Sequence, residues 1–341
     1  MDNLICGNSM NIPLADGVVQ CVVTSPPYYG LRDYDVDGQL GLEQSPEEYV
    51  EKMVAVFREV KRVLRNDGTL WLNMGDSYAG NGGPGNWVDN KQTEAFKGEF
   101  RKYDNPNRVV AGLKPKDLIG IPWRLAFALQ DDGWWLRSDI IWHKPNPMPE
   151  SVTDRPTKSH EYLFLLAKSQ HYYYDAEAIT EPVTNSTIVR CSQDIENQNG
   201  SDRVPGKTNG NMKAVLPRYG GKKYTEEPDI FYRTKSGNAY DYHPLRNKRS
   251  VWTIPTAPYK GAHFATYPPA LVEPCIKAGS KPGDIILDPF CGSGTTGAVA
   301  IKLGRKFVGI ELSRDYIELA RKRMSGIEVL LPLEILNASP F

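Results

Sequence analysis

The segment Gly292-Ser293-Gly294-Thr295-Thr296-Gly297 constrains this chain more than any other. It satisfies G-x-G-x-x-G, follows a short strand-like run from Asp284 to Leu287, and opens a helical pattern that reaches about Leu303. Lys306 to Ile310 then reads as a second strand, ending at Glu311, 17 residues after Gly294. Strand, glycine turn, helix and strand form a βαβ unit, which requires a parallel sheet with helices packed on it. Glycines let a ligand approach the backbone, and a carboxylate at the second strand end can accept from both hydroxyls of a ribose. The pattern points to a cofactor that carries adenosine, and both NAD and S-adenosylmethionine do. No lysine follows the glycines, which disfavours a nucleoside-triphosphate loop. Asp288, at the strand tip, would repel a pyrophosphate and attract a sulfonium with an α-ammonium group, which favours S-adenosylmethionine.

A second βαβ pattern lies at the other end of the chain. Leu4-Ile5-Cys6 is a brief strand, and Val18 to Thr24 reads as a buried parallel strand. Ser25-Pro26-Pro27-Tyr28 ends it. Prolines lack an N–H, so this turn offers carbonyls and a hydroxyl with few competing donors, a surface suited to an incoming amino group. The tyrosine ring can stack on a planar base. Ser45-Pro46-Glu47-Glu48 is a capping box opening a helix over 45–65, with Tyr49, Met53, Phe57, Val60 and Leu64 on one face. Asn66-Asp67-Gly68 ends that helix, and Thr69 to Met74 is the next strand. A long mobile loop is expected over about 79–107, and a helix over about 115–131 with Ile119, Trp123, Phe127 and Ala128 buried. Trp135 to Trp142 and Glu161 to Lys168 read as strands, and His171 to Tyr174 as a third, short one. Residues 314–324 form a helix.

Composition limits the setting. Hydrophobic residues are 40% and charged ones 24% of 341, a globular balance. No run of ~18 apolar residues predicts a membrane span. Met1-Asp2-Asn3-Leu4 shows no basic stretch leading into an apolar one, so no signal peptide is expected. Five cysteines without a C-x-x-C argue against a disulfide framework and a structural zinc site, and they place the chain in the cytoplasm by default. Forty-one basic residues balance 41 acidic ones, so a nucleic-acid partner would need a local basic surface. Over 181–249, twelve Lys/Arg stand against eight Asp/Glu with few aliphatics, which marks 178–250 as an insertion rather than core.

Taken together, the two turns resemble those of DNA amino-methyltransferases, which methylate the exocyclic nitrogen of cytosine or adenine. The catalytic motif of that family, (Asp/Ser/Asn)-Pro-Pro-(Tyr/Phe/Trp), is matched by Ser25-Pro26-Pro27-Tyr28. Its cofactor motif is matched by Asp288-Pro289-Phe290-Cys291-Gly292-Ser293-Gly294, with Thr295, Thr296 and Glu311 beyond it. Catalytic motif first and cofactor motif last is the permuted order called the beta group. The resemblance covers Ile5 to about Met324. Phe264, Ala265 and Thr266 stand where that group embraces the methionine part of the cofactor, and Asn8 where a residue near the first strand touches the adenine.

The resemblance implies an α/β fold: a seven-stranded, Rossmann-like S-adenosylmethionine-dependent methyltransferase sheet with one antiparallel strand, circularly permuted. Residues 1–177 would be the catalytic half, 178–250 a target-recognition insertion, and 251–341 the cofactor half. The candidate hairpin for the antiparallel strand is 135–142 with 161–168. Double-stranded DNA would be the substrate, with a homodimer and a cognate restriction endonuclease as further partners, no membrane and no metal. Ser-Pro-Pro is the family's usual form for N4 of cytosine, and Asp-Pro-Pro for N6 of adenine. Adenine stays open as the alternative, as do an NAD-dependent oxidoreductase and a DNA-binding module without catalysis. Asp76, Lys144 and Asn146 are weaker candidates for the base pocket or DNA face, and Arg246, Lys248 and Arg249 for phosphates.

Overall fold

A computed structural model describes residues 4–31, 33–34, 36–80, 112–186, 245–256 and 267–327, and the backbone of 231–233 and 239–241. The expected mobile loop, from residue 81 onward, and Phe264, Ala265 and Thr266 lie outside the described residues. The chain divides into two compact units, Met1–Ala178 with Arg249–Phe341, and Ile179–Lys248.

The strands are β1 (Leu4–Cys6), β2 (Val19–Thr24), β3 (Leu64–Met74), β4 (Trp135–His143), β5 (His160–Ala167) and β6 (Glu181–Pro182). They continue as β7 (Phe231–Arg233), β8 (Ala239–Asp241), β9 (Leu245–Arg246), β10 (Val251–Thr253), β11 (Ile285–Asp288) and β12 (Lys306–Glu311). The helices are α1 (Pro46–Val63), α2 (Ile121–Asp131), α3 (Pro269–Gly279), α4 (Thr295–Lys302) and α5 (Arg314–Met324).

The larger unit is built on an eight-stranded sheet in the order β1-β12-β11-β2-β3-β5-β4-β10. All neighbours are parallel except those of β5, which runs antiparallel to both β3 and β4. The expected hairpin therefore holds the antiparallel strand. The expected count of seven is exceeded by β10, three residues on the edge beside β4. All six residues of β2 are buried, as a strand covered on both faces requires.

α1 follows its sequence signal. Ser45 Oγ accepts from the Glu48 amide at 3.1 Å, and Glu48 Oε2 accepts from the Gln44 amide at 3.1 Å. Tyr49, Met53, Phe57 and Val60 are fully buried. Leu64 belongs to β3 rather than to this helix: the strand starts at once, pairing Leu64 with Val19, and a register irregularity absorbs Asn66-Asp67-Gly68. α2 starts at Ile121, six residues later than position 115, and its buried face is Leu125, Ala126 and Leu129. Phe127 is 52% exposed, and Trp123 lies edge-on to Phe164 at 5.1 Å instead of deep in the core.

No strand forms at His171–Tyr174; Tyr174 instead stacks over Trp71 at 6.4 Å, covering the far face of β3. α3 carries no expectation from sequence. In the second unit, β6 pairs with β9 and β7 with β8, both antiparallel, and Arg246 is bonded to Glu181 at 2.9 Å.

Candidate active site

β11 and β2 are parallel neighbours, Ile286 beside Cys21 and Leu287 beside Val22. The turns that follow them thus leave the same edge of the sheet, side by side, where open α/β sheets place their ligands. β1 and β12 reach that edge too, bringing Asn8 and Glu311. A cleft of about 900 Å3, counted out to open solvent, lies there. Ser25 and Pro27 line it from one turn, and Phe290, Gly292 and Thr295 from the other, with Asn8 and Glu311 between. Tyr34, Gln39 and Tyr316 complete its wall, and no local pattern in the sequence marks them.

Five sequence candidates are not among the residues that line this cleft. Asp288 is 1% exposed and does not face the cleft. Its Oδ1 accepts from Thr24 Oγ1 at 2.7 Å and from the Phe290 amide at 3.1 Å. Its Oδ2 accepts from Thr296 Oγ1 at 2.7 Å and Tyr267 Oη at 3.0 Å. The expectation that this carboxyl draws in a sulfonium is corrected: both oxygens are taken by the protein, and burial raises the pKa. Asp288 fastens the glycine turn to the end of β2. Thr296 is part of that fastener, and its Oγ1 also lies 3.2 Å from the Val23 carbonyl, an alternative acceptor for its one hydrogen. Gly294 does not line the cleft either. It is the left-handed N-cap of α4 (φ +78°), and a Cβ there would come within 2.9 Å of Ala320 in α5. Pro26 and Tyr28 are the remaining two.

Glu311 Oε2 accepts from the Gly292 amide at 2.8 Å, and Oε1 from the Ser313 amide at 2.9 Å. Each oxygen keeps a lone pair for a ribose hydroxyl. Burial raises the carboxyl pKa. Phe290, Ile310 and Leu312 give the cleft an apolar side for a planar base. One well-placed acid beside an apolar wall fits adenosine. Cys291 is buried and its thiol is pushed well up by that burial, so no thiolate is present to form an adduct.

In the catalytic turn, the Pro27 carbonyl accepts from Tyr49 Oη at 2.7 Å. The Pro26 carbonyl has no donor among the described residues. Tyr28 is half-buried, with its ring edge against Gly75, where a Cβ would lie 2.5 Å from Cε2. Its hydroxyl donates to Glu161 Oε2 at 2.8 Å. Burial, and then the Glu161 charge, raise the Tyr28 pKa well above its ordinary value. Asn73 and Glu161 carry no local motif; they are adjacent because the antiparallel β5 brings its first residues to the edge where β3 ends.

Asp76 caps α2 rather than lining a pocket: it accepts from the Gly120 and Ile121 amides at 3.0 and 3.1 Å. Lys144 is bonded to Glu161. Asn146 pairs with the Thr256 backbone at 2.9 and 3.3 Å.

Comparison with known proteins agrees with this geometry. The chain matches the N6/N4 DNA methylase family over residues 19–322. It is 46% identical over 313 residues to the type II methyltransferase M.Cfr9I of Citrobacter freundii, covering 92% of this chain and 83% of that one. It is 45% identical over 307 residues to M.SmaI of Serratia marcescens, covering 90% and 84%. Among solved structures, a putative DNA modification methylase of Thermus thermophilus complexed with S-adenosyl-L-methionine superposes with a TM-score of 0.54 at 19% identity, covering 95% and 93%. The cytosine-N4-specific PvuII DNA methyltransferase superposes with a TM-score of 0.57 at 16% identity, covering 95% and 87%. The oxidoreductase alternative is set aside, and the chain belongs to the N6/N4 DNA methylase family.

Proposed function

We propose that this protein is the modification enzyme of a type II system, transferring a methyl group from S-adenosylmethionine to N4 of a cytosine turned out of duplex DNA. The observation that carries this reading is the catalytic turn: a serine hydroxyl in the cleft wall, followed by a proline carbonyl with no donor among the described residues. When bound, S-adenosylmethionine supplies an electrophilic methyl group on a sulfonium. Glu311 would hold its ribose, the glycine turn would lie along it, and Phe290 would pack on the base.

The chain's own groups must make the amino nitrogen a nucleophile, because its lone pair is delocalised into the ring. Ser25 Oγ and the Pro26 carbonyl accept the two amino hydrogens, which draws the nitrogen toward tetrahedral geometry and localises the lone pair. Held in line, the reactants gain from positioning alone. The Tyr28 ring offers a stacking surface, worth ~1–3 kcal/mol against the few that extruding the base requires. A neutral serine in the first motif position favours cytosine over adenine in this family. In the same reading the chain order is the permuted one, residues 178–250 recognise the target sequence, the protein is a homodimer, and a cognate endonuclease cuts the unmodified site.

The test is methyl transfer from labelled S-adenosylmethionine to unmethylated duplex DNA, followed by nucleoside mass spectrometry. N4-methylcytosine is expected. N6-methyladenine overturns the base assignment, and no incorporation across varied sequences overturns the reading itself.

A further inference from the structure

Beneath the Ser25-Pro26-Pro27-Tyr28 turn lies a set of polar side chains in which the reaction outlined above gives Asn73, Lys144 and Glu161 no part. Tyr28 Oη donates to Glu161 Oε2 at 2.8 Å. Asn73 Nδ2 donates to both Tyr28 Oη and Glu161 Oε2, each at 2.8 Å. Lys144 holds the other carboxylate oxygen and rests over the Trp142 ring at 4.4 Å. Ser25 Oγ lies 3.4 Å from Tyr28 Oη. The Glu161 and Lys144 side chains are only 15% and 18% exposed, so this pair acts with little solvent screening.

Counting hydrogens fixes the direction of every bond. A carboxylate has none to give, and ammonium and amide nitrogens accept nothing. Glu161 therefore accepts from Lys144, Asn73 and Tyr28, and the single hydroxyl hydrogen of Tyr28 goes to it. Tyr28 Oη is left with lone pairs alone, so toward Ser25 it can only accept. The Asn73 amide is placed in keeping with this polarity: its Nδ2 faces the carboxylate, and its buried Oδ1 has no partner among the described residues. A Ser25 hydrogen turned to Tyr28 leaves only lone pairs for the cleft.

We propose that Glu161 is a positioning residue that acts through Tyr28 to make the Ser25 hydroxyl an obligate acceptor for the amino hydrogens of the target base. A serine free to rotate would offer its hydrogen to the amine as readily as its lone pairs, and that orientation is repulsive. The chain from Lys144 to Ser25 gives a neutral hydroxyl the polarity of a carbonyl. Burial keeps the Tyr28 hydroxyl protonated, which preserves this arrangement as pH rises. The inference rests on the proposal that Ser25 touches the amine, and it holds for cytosine or adenine alike.

Glu161→Gln tests it. Lys144 will draw the amide oxygen, leaving the NH2 to face Tyr28. The tyrosine hydrogen then turns to Ser25, and the serine hydrogen turns to the substrate. We expect kcat to fall ~10-fold or more, the scale on which misdirected oxyanion-type contacts act. KM for DNA and S-adenosylmethionine binding should be unchanged. Adding Tyr28→Phe removes the reversed donor, so the double variant should recover to the Y28F level. Unchanged kcat in E161Q, or losses that multiply in the double variant, overturn the inference.

Should E161Q not fold, the cycle of Ser25→Ala with Tyr28→Phe carries the same logic. With serine gone, the tyrosine hydroxyl has nothing to orient, so S25A and S25A/Y28F should have equal kcat; multiplied losses refute it. Wild-type activity on DNA is measured first. Its absence sinks the proposed function, whereas normal wild-type transfer with an unaffected E161Q sinks only this inference.

Discussion

The assignment of Asp288 as a fastener rather than a cofactor ligand makes a quantitative prediction, because Asp288→Ala and Asp288→Asn should behave very differently. The carboxyl receives Thr24 Oγ1 and the Phe290 amide on one oxygen, and Thr296 Oγ1 and Tyr267 Oη on the other. Alanine removes all four acceptor positions. Thr296 keeps the Val23 carbonyl, and Tyr267 keeps its contact with Thr296. The Thr24 hydroxyl and the Phe290 amide lose the acceptor they share. At ~1–3 kcal/mol for each of these two orphans, the loss is about 2–6 kcal/mol, a large part of the ~5–15 kcal/mol that holds a typical fold.

Asparagine keeps one carbonyl oxygen for Thr24 and Phe290. Its NH2 faces Tyr267 and Thr296, whose hydroxyls can rotate to accept. It also relieves the burial of a charge, and the net cost should be about 1 kcal/mol. Urea unfolding without ligand gives both stabilities, and titration calorimetry gives S-adenosylmethionine affinity. D288A should be strongly destabilised and D288N should bind the cofactor nearly normally. If D288N folds as the wild type does yet loses cofactor affinity as fully as D288A, the carboxylate meets the cofactor and the fastener reasoning is wrong.

Two other predictions bear on the cleft. In the proposed function Glu311 accepts ribose hydroxyls in its charged form, and burial raises its pKa. Cofactor affinity should therefore be flat above that pKa and fall on acidification, earlier than an exposed glutamate would dictate. E311Q should bind ~10–100-fold more weakly, from the loss of one charge-assisted bond, and should lack this acidic step in calorimetry. Gly75→Ala would place Cβ 2.5 Å from Cε2 of Tyr28, so the ring must move. We expect kcat to drop ~10-fold or more with S-adenosylmethionine affinity retained; a variant of unchanged kcat would show that the ring position is not critical.

The sequence was most legible where function and local chemistry coincide. The capping box at Ser45, the glycine turn, Glu311 and the two prolines after Ser25 announce themselves within a few residues. It was least legible where the partner is remote. α2 has no N-cap of its own, since Gly120 supplies the left-handed turn (φ +79°) and Asp76, 44 residues earlier, supplies the acceptor. Its face differs from the sequence expectation because Trp123 and Phe127 are large but pack as a tilted aromatic pair at 5.5 Å, with Trp123 at the margin of the core and Phe127 exposed, leaving Leu125 and Leu129 inside. α3 has no local signal in the sequence: three prolines, Pro268, Pro269 and Pro274, fall in or beside it, although proline at the first helical position is favoured. The three tyrosines at 172–174 have strand composition but no strand to pair with.

The same distinction governs the site. A carboxylate at a strand end is visible in sequence; the direction it faces is not. Thr24 and Asp288 are 264 residues apart and share a hydrogen bond, because β2 and β11 are neighbours. A parallel pair places no demand on the connection between its strands beyond length, since register is set by burial and not by chain order. The catalytic and cofactor turns can thus be carried at opposite ends of a chain and still form one cleft, provided something ties them across the gap in sequence. In this protein the tie is a buried carboxyl with four donors drawn from both halves. That is why a residue whose charge seemed to select the cofactor is better understood as the residue that assembles the site.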